Sequence, residues 1–332
     1  MSINVAVIGV GGMGRNHCRV YNELKDVNLV AVSDINQKKV NEIAREYECN
    51  GYTNYMEMLK KEKIDAISIC VPTRLHFKVT SDILKKYKPA ILIEKPMTYN
   101  IEEAKKIINL AERKNVFLTV GHIERYNPAV QKVAEIIRNG ILGRIFTISS
   151  KRVGLAPKRK IDCGVIMDLG VHDIDVMRYI SRQEVKEVFC NAKRIFTQFE
   201  DCAFLQMKFK NDILGIIEVN WLTPTKIREL FITGEMGVLV VDYISQDIFF
   251  YEKQVDVGAK NFKDFICKYE VVAKKILVKK EEPLKLELEN FVNSVNKLEN
   301  PLVSAIDGLI TVAIANYALK SNKNKKIVSV IV

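Results

Sequence analysis

The sequence predicts an α/β fold in two parts: a doubly wound parallel sheet, followed by an α+β domain with a large, mainly antiparallel open sheet. In the first part, short apolar runs alternate with amphipathic stretches of helical period, which is typical of β-α-β units. Beyond Arg182 the period changes to strict alternation interrupted by turn residues, which indicates antiparallel hairpins. The 332 residues leave room for two domains of ordinary size.

Composition and charge exclude several classes of protein. At 48% hydrophobic and 27% charged residues, the chain resembles globular proteins and not disordered ones. The net charge is +11, but basic residues are spread among acidic ones, which argues against nucleic acid and favours an anionic small molecule. Seven cysteines without a CxxC pair favour reduced thiols and a cytoplasmic location. No apolar run approaches the ~18 residues of a membrane span, so we expect no membrane association.

A glycine-rich loop follows the first predicted strand. The strand Asn4–Gly9 leads into the sequence GVGGMG and then into a helix that reaches about Leu24. Glycines between a strand and a helix allow a tight turn and let backbone N–H groups approach a pyrophosphate. The sequence therefore predicts a Rossmann domain that binds a dinucleotide through the loop residues Gly9, Gly11, Gly12, Met13 and Gly14.

An acidic residue at the end of the next strand bears on the choice of cofactor. The strand Asn28–Ser33 ends at Asp34, whose carboxylate can accept hydrogen bonds from the adenosine ribose. The negative charge of Asp34 disfavours a 2′-phosphate, so we predict NAD. Lys38 and Lys39 lie close enough to leave NADP open.

Helices and strands continue to alternate through the rest of the first part. Helices are predicted at 37–47, 55–61, 75–86 and 101–114, and strands at 66–70, 90–94 and 117–120. Such sheets bind their ligands at the carboxyl ends of the strands. The residues at these ends that we expect to contact the cofactor are Pro72, Thr73, His76, Glu94, Lys95 and His122.

Lys95 is the candidate for chemistry among these residues, because it follows a buried strand where the nicotinamide is expected to lie. Its ammonium group could deliver a proton or hydrogen-bond the reacting oxygen. The alternative is a strand-end lysine that reaches solvent. His76 and His122 could contact cofactor or substrate, although a lone histidine is more often structural, and we interpret His17 as structural.

A second candidate group lies on a helix whose first turns are predicted within residues 161–175. Asp168 and His172 are four residues apart, which places them on one face of a helix. The polar stripe continues with Asp175 and Tyr179, and the apolar surface is formed by Ile166, Leu169, Met177 and Ile180. Asp168 and His172 are suited to acid–base chemistry, or they form an ordinary surface ion pair.

Taken together, these motifs resemble the Gfo/Idh/MocA oxidoreductases. The resemblance rests on the glycine loop, VPTRLH at 71–76, EKP at 94–96 and DLGVHDID at 168–175. It implies hydride transfer at a sugar carbon, catalytic residues Lys95, Asp168 and His172, and a cis Lys95–Pro96 bond. It also implies an NAD(P)-binding domain over 1–122 and a substrate-binding and oligomerisation domain over 123–332, whose last helix and strand are expected to pack back towards the first domain.

The second part is predicted to begin with a linking helix at 128–139 and a strand at 145–152. Further strands are predicted at 185–196, 202–209, 213–221, 227–233, 238–242, 248–251 and 327–331, and helices at 284–298 and 305–321, the latter capped by Ser304. The lysine-rich segment 252–280 is expected to pass over the site.

One sheet face should pack on the Asp168 helix, and the other is left as an apolar surface of the kind that forms subunit interfaces. We therefore predict a homodimer or homotetramer.

Two stretches resemble one branch of the family, the UDP-N-acetylglucosamine 3-dehydrogenases: GHIERYNPAV at 121–130, and the segment 152–179. This resemblance implies oxidation of the C3 hydroxyl of the nucleotide sugar to a ketone, which a partner aminotransferase consumes. The chain departs from the branch pattern at 155–156 and in the basic run 158–160. Cations at the crevice would bind a diphosphate. The expected substrate contacts are Arg125, Tyr126, Asn127, Arg152, Lys158, Arg159, Asp168 and His172.

Several alternatives remain open from the sequence. His172 is the natural base, since the ordinary pKa of histidine is about 6.5, but Lys95 could take the proton while Asp168 orients either group. Another nucleotide sugar or a polyol could be the substrate, such as UDP-N-acetyl-glucuronate or myo-inositol. A non-catalytic NAD-sensing regulator would not need the three catalytic residues together, and a nucleic-acid binder is least favoured. No metal site is predicted.

Overall fold

The computed structural model of the chain describes residues 2–157, 161–253 and 273–332. Lys158 and Arg159, two of the expected substrate contacts, lie outside the described residues. The same is true of most of the segment 252–280 that is expected to pass over the site.

The first sheet consists of parallel strands. Within the described residues they are β1 Ile3–Ile8, β2 Val27–Ser33, β3 Asn50–Tyr52, β4 Ala66–Ile69, β5 Ala90–Glu94 and β6 Leu118–Gly121. Their order is β3-β2-β1-β4-β5-β6, which reverses direction between β1 and β4 and so forms a crevice at that point. The strands β1, β4 and β5 bury side chains on both faces, as expected of a parallel sheet covered by helices.

Five helices accompany this sheet in the described chain: α1 Gly12–Glu23, α2 Gln37–Glu46, α3 Tyr55–Lys61, α4 Thr73–Lys86 and α5 Ile101–Lys114. Asn36, Asn54 and Asn100 begin α2, α3 and α5 by accepting hydrogen bonds from first-turn N–H groups. These boundaries match the predicted ones within about two residues. The three-residue strand β3 was not predicted, because a short run containing a glycine carries no periodic signal.

A 3-10 turn, Ile123–Tyr126, and helix α6, Pro128–Arg138, lead to the second sheet. Its strands are β7 Ile145–Leu155, β8 Val185–Lys193, β9 Cys202–Phe209, β10 Leu214–Asn220, β11 Leu222–Gly234, β12 Gly237–Asp242, β13 Asp247–Glu252, β14 Lys274–Ile276 and β15 Val328–Ser329. Their order is β14-β13-β12-β11-β7-β10-β9-β8-β15, and the pairs are antiparallel except β7 with β10. The predicted α/β fold, with a parallel and a mainly antiparallel sheet, is confirmed.

Three helices complete the described chain: α7 Val171–Ser181, α8 Pro283–Val295 and α9 Ala305–Asn324. The first turns of the earliest of these helices were predicted within 161–175, but α7 begins only at Val171 and one π-helical turn, Ile166–Gly170, precedes it. Glu200 holds the start of this turn: its carbonyl oxygen accepts from the N–H of Val165 at 3.0 Å, and its carboxylate accepts from Ile166 at 3.3 Å.

Helix α9 joins the two sheets. Ser304 begins α9 in a capping box with Asp307, which confirms the predicted cap. Next to α9, Thr119 of β6 donates a hydrogen bond to the carbonyl of Val303 at 2.8 Å. At Gly308 a Cβ would come within 2.6 Å of Val120, so the helix approaches the parallel sheet closely. The final strand β15 pairs with β8 of the second sheet. None of the helices in the described ranges has both the length and the apolar character that a membrane crossing requires.

Candidate active site

A cavity of about 990 Å³ opens at the carboxyl ends of the parallel strands and extends to the second sheet. This volume lies at the upper end of the ~300 to 1,000 Å³ that is typical of ligand pockets. Its first wall is built by the glycine loop and the ends of β2, β4 and β5. The opposite wall is built by α7 and its π-helical turn, by β7 and β11, and by the turn after β12.

The glycine loop has the close packing that a dinucleotide site needs. Gly9 has φ +90, and a Cβ there would lie 2.7 Å from the backbone of Cys70 and Val71. At Gly14 a Cβ would lie 1.8 Å from the carbonyl oxygen of Gly9, so only glycine lets α1 approach β1. At Gly11 and Gly12, by contrast, a Cβ would meet no atom within 4 Å, since both face the cavity. The first turn of α1 carries no acidic residue, which suits a phosphate at the N-terminus of the helix.

Asp34 is fixed at the end of β2 by two backbone hydrogen bonds. Its Oδ2 accepts from the N–H of Val10 at 3.0 Å and its Oδ1 from Asn36 at 2.9 Å. Each carboxylate oxygen retains acceptor capacity for a ribose hydroxyl. Lys39 lines the cavity on the same side. The loop, the helix N-terminus and Asp34 therefore fit a nicotinamide dinucleotide, with its adenosine at β2.

Lys95 and Asp168 meet across the cavity. The Nζ of Lys95 donates to the main-chain carbonyl oxygen of Asp168 at 2.6 Å and lies 3.3 Å from its Oδ1. The two side chains are 16% and 12% exposed, so the ion pair is shielded from bulk water and still reachable from the cavity. An ammonium group held in this way can donate a further hydrogen bond to a substrate oxygen.

The segment that carries Lys95 is tied to the neighbouring strand end. The Lys95–Pro96 peptide bond is cis, as the family resemblance predicted. The Nδ1 of His76 lies 2.9 Å from the carbonyl oxygen of Pro96, and its Nε2 lies 2.9 Å from that of Val71. Burial lowers the pKa of the His76 imidazole. The neutral ring has one N–H and donates it to one of these two carbonyl oxygens, so His76 supports the Lys95 turn. His76 also lines the cavity, and its contact with the cofactor stays a prediction.

His172 lies in the first turn of α7 and faces the same cavity. Its Nδ1 is buried and has no hydrogen-bond partner among the described residues. Burial, together with the charges of Lys95 and Arg152, lowers the pKa of His172 well below its ordinary value. The imidazole is therefore neutral at neutral pH and has a lone pair that can accept a proton.

The family follows from two matches. Residues 3–122 match the model of the oxidoreductase family with an NAD-binding Rossmann fold, Gfo/Idh/MocA. Residues 130–240 match the C-terminal domain model of the same family. The chain belongs to the Gfo/Idh/MocA family. It is an NAD-binding oxidoreductase, which accounts for the geometry of the glycine loop and Asp34.

Relatives of known name are similar along almost the whole chain. The UDP-N-acetylglucosamine 3-dehydrogenase of Acidithiobacillus ferrooxidans is 27% identical over 295 residues, covering 88% of each chain. The solved structure of that enzyme has a TM-score of 0.84 at 25% identity, covering 98% of this chain and 99% of its own. The myo-inositol 2-dehydrogenase of Thermotoga maritima is 24% identical over 337 residues, covering 98% and 97%. A complex of levoglucosan dehydrogenase with NADH and levoglucosan shares the fold, with a TM-score of 0.87 at 18% identity and coverage of 99% and 100%.

Two of the expected substrate contacts in this Gfo/Idh/MocA member point away from the cavity. Arg125 is 5% exposed, and its guanidinium bonds Asp175 at 2.6 and 2.8 Å and lies 2.9 Å from Asp307. Tyr126 is also buried and donates to Asn290 at 2.9 Å. Neither residue lines the cavity, so the expectation for Arg125 and Tyr126 is wrong. The physical reason is that Arg125 neutralises the buried Asp175 and the half-buried Asp307, and these ion pairs outweigh exposure to a ligand.

His122 is a further correction. The sequence suggested a contact with cofactor or substrate, but His122 is 2% exposed and does not line the cavity. Its Nδ1 lies 3.9 Å from Asp175, and neither ring nitrogen has a hydrogen-bond partner in the described part of the chain. Burial lowers the pKa of this imidazole. Gly14 likewise acts in helix packing and is not part of the cavity wall.

Asn127 and Arg152 line the cavity, as expected, but the protein already occupies much of their capacity. Asn127 caps α6 and donates to the carbonyl of Tyr243 at 3.0 Å. Arg152 is 3% exposed and bonds Asp173 and Glu124, each at 2.7 Å. Burial acts to lower the pKa of Arg152, but the carboxylates of Asp173 and Glu124 together have the larger, opposite effect. The net shift is therefore upward.

Sequence reasoning missed the cationic residues of β11. Lys226 and Arg228 both line the cavity, and Arg228 donates to the carbonyls of Val153 and Ile227. Burial and the charge of Arg152 lower the pKa of Arg228 to about 10. No ion pair with Arg228 is formed by the described residues. The sequence signal was the spacing of two basic residues on one face of a strand, but the face that meets the cavity depends on sheet pairing.

Proposed function

We propose that this protein oxidises the C3 hydroxyl of UDP-N-acetylglucosamine to a ketone, with NAD as the hydride acceptor. The observation that carries the proposal is the position of Lys95, Asp168 and His172 on the wall of the same cavity as the glycine loop. A sensor of NAD would have no use for an ammonium–carboxylate pair beside a neutral imidazole. A dehydrogenase of a CH–OH group needs these groups to hold the oxygen and to take its proton.

In this mechanism the neutral ring of His172 accepts the hydroxyl proton. Asp168 holds the ammonium of Lys95 through its carbonyl and carboxylate oxygens, and Lys95 hydrogen-bonds the reacting oxygen. Bound NAD supplies the acceptor for the hydride that leaves C3. The hydride from C3 is thus transferred to NAD and the hydroxyl proton to His172, so that the alcohol becomes a ketone. The positioning of the oxygen by Lys95 and the transfer of its proton to His172 each accelerate the oxidation step substantially.

A diphosphate is supported by the two cations of β11. Lys226 is exposed at the cavity and Arg228 is half-buried there without a carboxylate partner among the described residues, so both can bind an anion. The similarity to the Acidithiobacillus ferrooxidans enzyme, which acts on UDP-N-acetylglucosamine, agrees with this assignment. The 3-keto sugar would be the substrate of an aminotransferase in the next reaction.

The second candidate function is oxidation of a polyol such as myo-inositol. Two of the arginines expected to bind phosphate, Arg125 and Arg152, are neutralised by buried carboxylates. A cavity with fewer available cations suits an uncharged substrate better. The similarity to the Thermotoga maritima myo-inositol 2-dehydrogenase supports this candidate.

The deciding experiment follows NADH formation from NAD with UDP-N-acetylglucosamine, free N-acetylglucosamine and myo-inositol. An aminotransferase with glutamate removes the ketone if the equilibrium is unfavourable. We expect turnover with the UDP-sugar and little with the others. The variant Arg228→Met should raise KM for the UDP-sugar about tenfold and leave NAD affinity unchanged. Turnover of myo-inositol alone would favour the second candidate.

We also propose that the second sheet forms a homodimer or homotetramer interface. Its outer face exposes apolar side chains on neighbouring strands, namely Phe204, Leu214, Ile216, Phe231 and Tyr251. An exposed sheet face with this many apolar side chains suits a subunit interface. Light scattering should give a dimer or tetramer mass, and Phe231→Lys should shift it towards the monomer. A monomeric wild-type protein would contradict the proposal.

A further inference from the structure

Three buried side chains converge behind the cofactor cavity. They are His17 of α1, Glu94 at the end of β5, and Glu287 of α8, and their ring nitrogen and carboxylate oxygens lie within 4.8 Å of one another. All three are less than 10% exposed. The sequence suggested a structural role for His17 and a cofactor contact for Glu94, but Glu287 carried no signal. The cluster therefore exists only in the folded chain.

Glu94 connects this cluster to the active site. Its Oε1 lies 2.9 Å from Nε2 of His17, and its Oε2 accepts from the backbone N–H of Lys95 at 3.1 Å. Glu94 also lines the cavity beside Lys95. The other ring nitrogen of His17 lies 3.0 Å from the hydroxyl of Ser68. A charge on Glu94 is thus felt directly at the nicotinamide end of the site.

Glu287 is different, because it is buried without a partner. Its side chain is 1% exposed, and neither carboxylate oxygen has a hydrogen-bond partner among the described residues. The titratable groups that face it from neighbouring elements are His17 and Tyr21 of α1, Cys70 after β4, Glu94 of β5, and Glu124 and Tyr126 of the 3-10 turn. Histidine is the only one of these that can carry positive charge. Two ionised carboxylates would therefore face each other in a desolvated space.

We propose that Glu94 and Glu287 carry one proton between them, held by Glu287, so that Glu94 is the one ionised carboxylate of this cluster and lies next to the Lys95 backbone and the cofactor cavity. Glu287 is then a positioning residue that fixes the charge at Glu94. One negative charge at this place favours the oxidised cofactor, whose nicotinamide ring is positive, over the neutral reduced form. The inference deepens the assigned NAD site and does not depend on which sugar is oxidised.

The pKa shifts of Glu287 and Glu94 have the directions that this proposal requires. Burial, followed by repulsion from Glu94 and Glu124, raises the pKa of Glu287 well above its ordinary value. Burial acts to raise the pKa of Glu94 as well, but the hydrogen bond and charge of His17 outweigh it and the net shift is downward. A cation bridging the three side chains is the alternative, and it would have to replace the direct contact between His17 and Glu94 at 2.9 Å.

The first test measures cofactor affinity without any sugar. NAD and NADH are titrated into the full-length wild type and into Glu287→Gln, Glu94→Gln and a control, Glu289→Gln, which removes a carboxylate from another side of α8. At pH 7 we expect Glu287→Gln and the control to keep the NAD/NADH affinity ratio within about twofold, and Glu94→Gln to lower it about tenfold. Towards alkaline pH the ratio should rise in the wild type and stay flat in Glu287→Gln. A tenfold loss at pH 7 in Glu287→Gln would overturn the proposal.

The second test measures stability against pH. The pKa of Glu287 in the folded protein is raised above the unfolded value near 4.5, so its contribution to stability is present below about pH 4.5 and is lost as pH rises towards the folded pKa. Glu287→Gln removes that loss, and its Tm should exceed that of the wild type by about 2 to 5 °C at pH 8 and by less at pH 5.

Two further outcomes overturn the inference. A Glu287→Gln protein that is less stable than the wild type at pH 8, or that fails to fold, shows that a neutral group does not fit this place. Stoichiometric metal in the purified wild type, absent from Glu287→Gln, shows that the cluster holds a cation. The sugar assignment can fail without changing either test, because no sugar is present in them.

Discussion

The Nζ of Lys95 is bound by the main-chain carbonyl oxygen of Asp168 at 2.6 Å, closer than by the carboxylate of the same residue at 3.3 Å. This contact joins the end of a strand in the first sheet to a π-helical turn that leads into α7. Such turns occur frequently at functional sites. The ammonium group is therefore held by backbone geometry as well as by charge, and substitutions of the two residues need not have equal effects.

Replacing Lys95 tests its role at the reacting oxygen. Lys95→Met should lower kcat at least about a hundredfold while NADH affinity changes little, because the substitution removes a hydrogen-bond donor and keeps the apolar stem. Steady-state kinetics and a fluorescence titration with NADH measure the two quantities. Lys85→Met, an exposed lysine on α4, is the control and should behave like wild type. Turnover of Lys95→Met within tenfold of wild type would show that Lys95 is not catalytic.

Asp34 should decide between NAD and NADP. Its carboxylate lines the cavity at the end of β2, where we expect the adenosine ribose, and Lys39 on the same cavity wall would attract a 2′-phosphate. Asp34→Ser should therefore improve NADP affinity relative to NAD by about tenfold. Titration of both cofactors gives the ratio. An unchanged ratio would mean that the ribose binds away from the end of β2.

Arg125 should matter for stability and not for substrate affinity. Arg125→Met leaves the buried Asp175 and the half-buried Asp307 without their shared cation, and the loss of one partner of a buried ion pair typically costs about 3 to 5 kcal/mol of unfolding free energy. Denaturant unfolding measures this loss, and Arg138→Met on the exposed face of α6 should cost less than about 0.5 kcal/mol. A stable Arg125→Met enzyme with a raised KM would restore the expectation from the sequence.

His122 should make the protein sensitive to acid. Burial lowers the folded pKa of His122 below the unfolded value of about 6.5, so stability is unaffected above that pH and falls as pH drops below it. In His122→Leu this part of the loss disappears. The Tm of wild type should therefore fall by about 2 to 5 °C more than that of the variant between pH 7.5 and 5.5. Equal losses in the two proteins would indicate that His122 is protonated when folded, stabilised by Asp175.

The elements that sequence patterns specify locally were predicted well. The helix at 101–114 and the strand at 90–94 have the expected boundaries, because apolar period and an asparagine cap act within a few residues. The π-helical turn before α7 was not predicted. It follows from contacts of Gly164, Val165 and Ile166 with Glu200, which is remote in sequence, and no local period reports it.

The residues of the candidate site also separate into those that the sequence could place and those that it could not. Gly9 and Asp34 could be placed from spacing alone, since a strand, a tight turn and a helix fix their positions relative to one another. Arg125 could not, because its direction is set by Asp175 and Asp307, which meet it only after folding. Arg228 was missed because its place on the cavity wall depends on the pairing of β11 with β7, which the sequence does not show.

Local sequence patterns were enough to predict the fold class, the glycine loop and the acidic residue that ends β2, and to propose Lys95, Asp168 and His172 as catalytic. Which charged side chains face the cavity, and which are neutralised inside the protein, became visible only in the folded chain. The physical reason is that backbone period and turn geometry are local, whereas a buried charge takes its direction and protonation from partners that only the complete fold brings within reach, as Glu287 does beside Glu94.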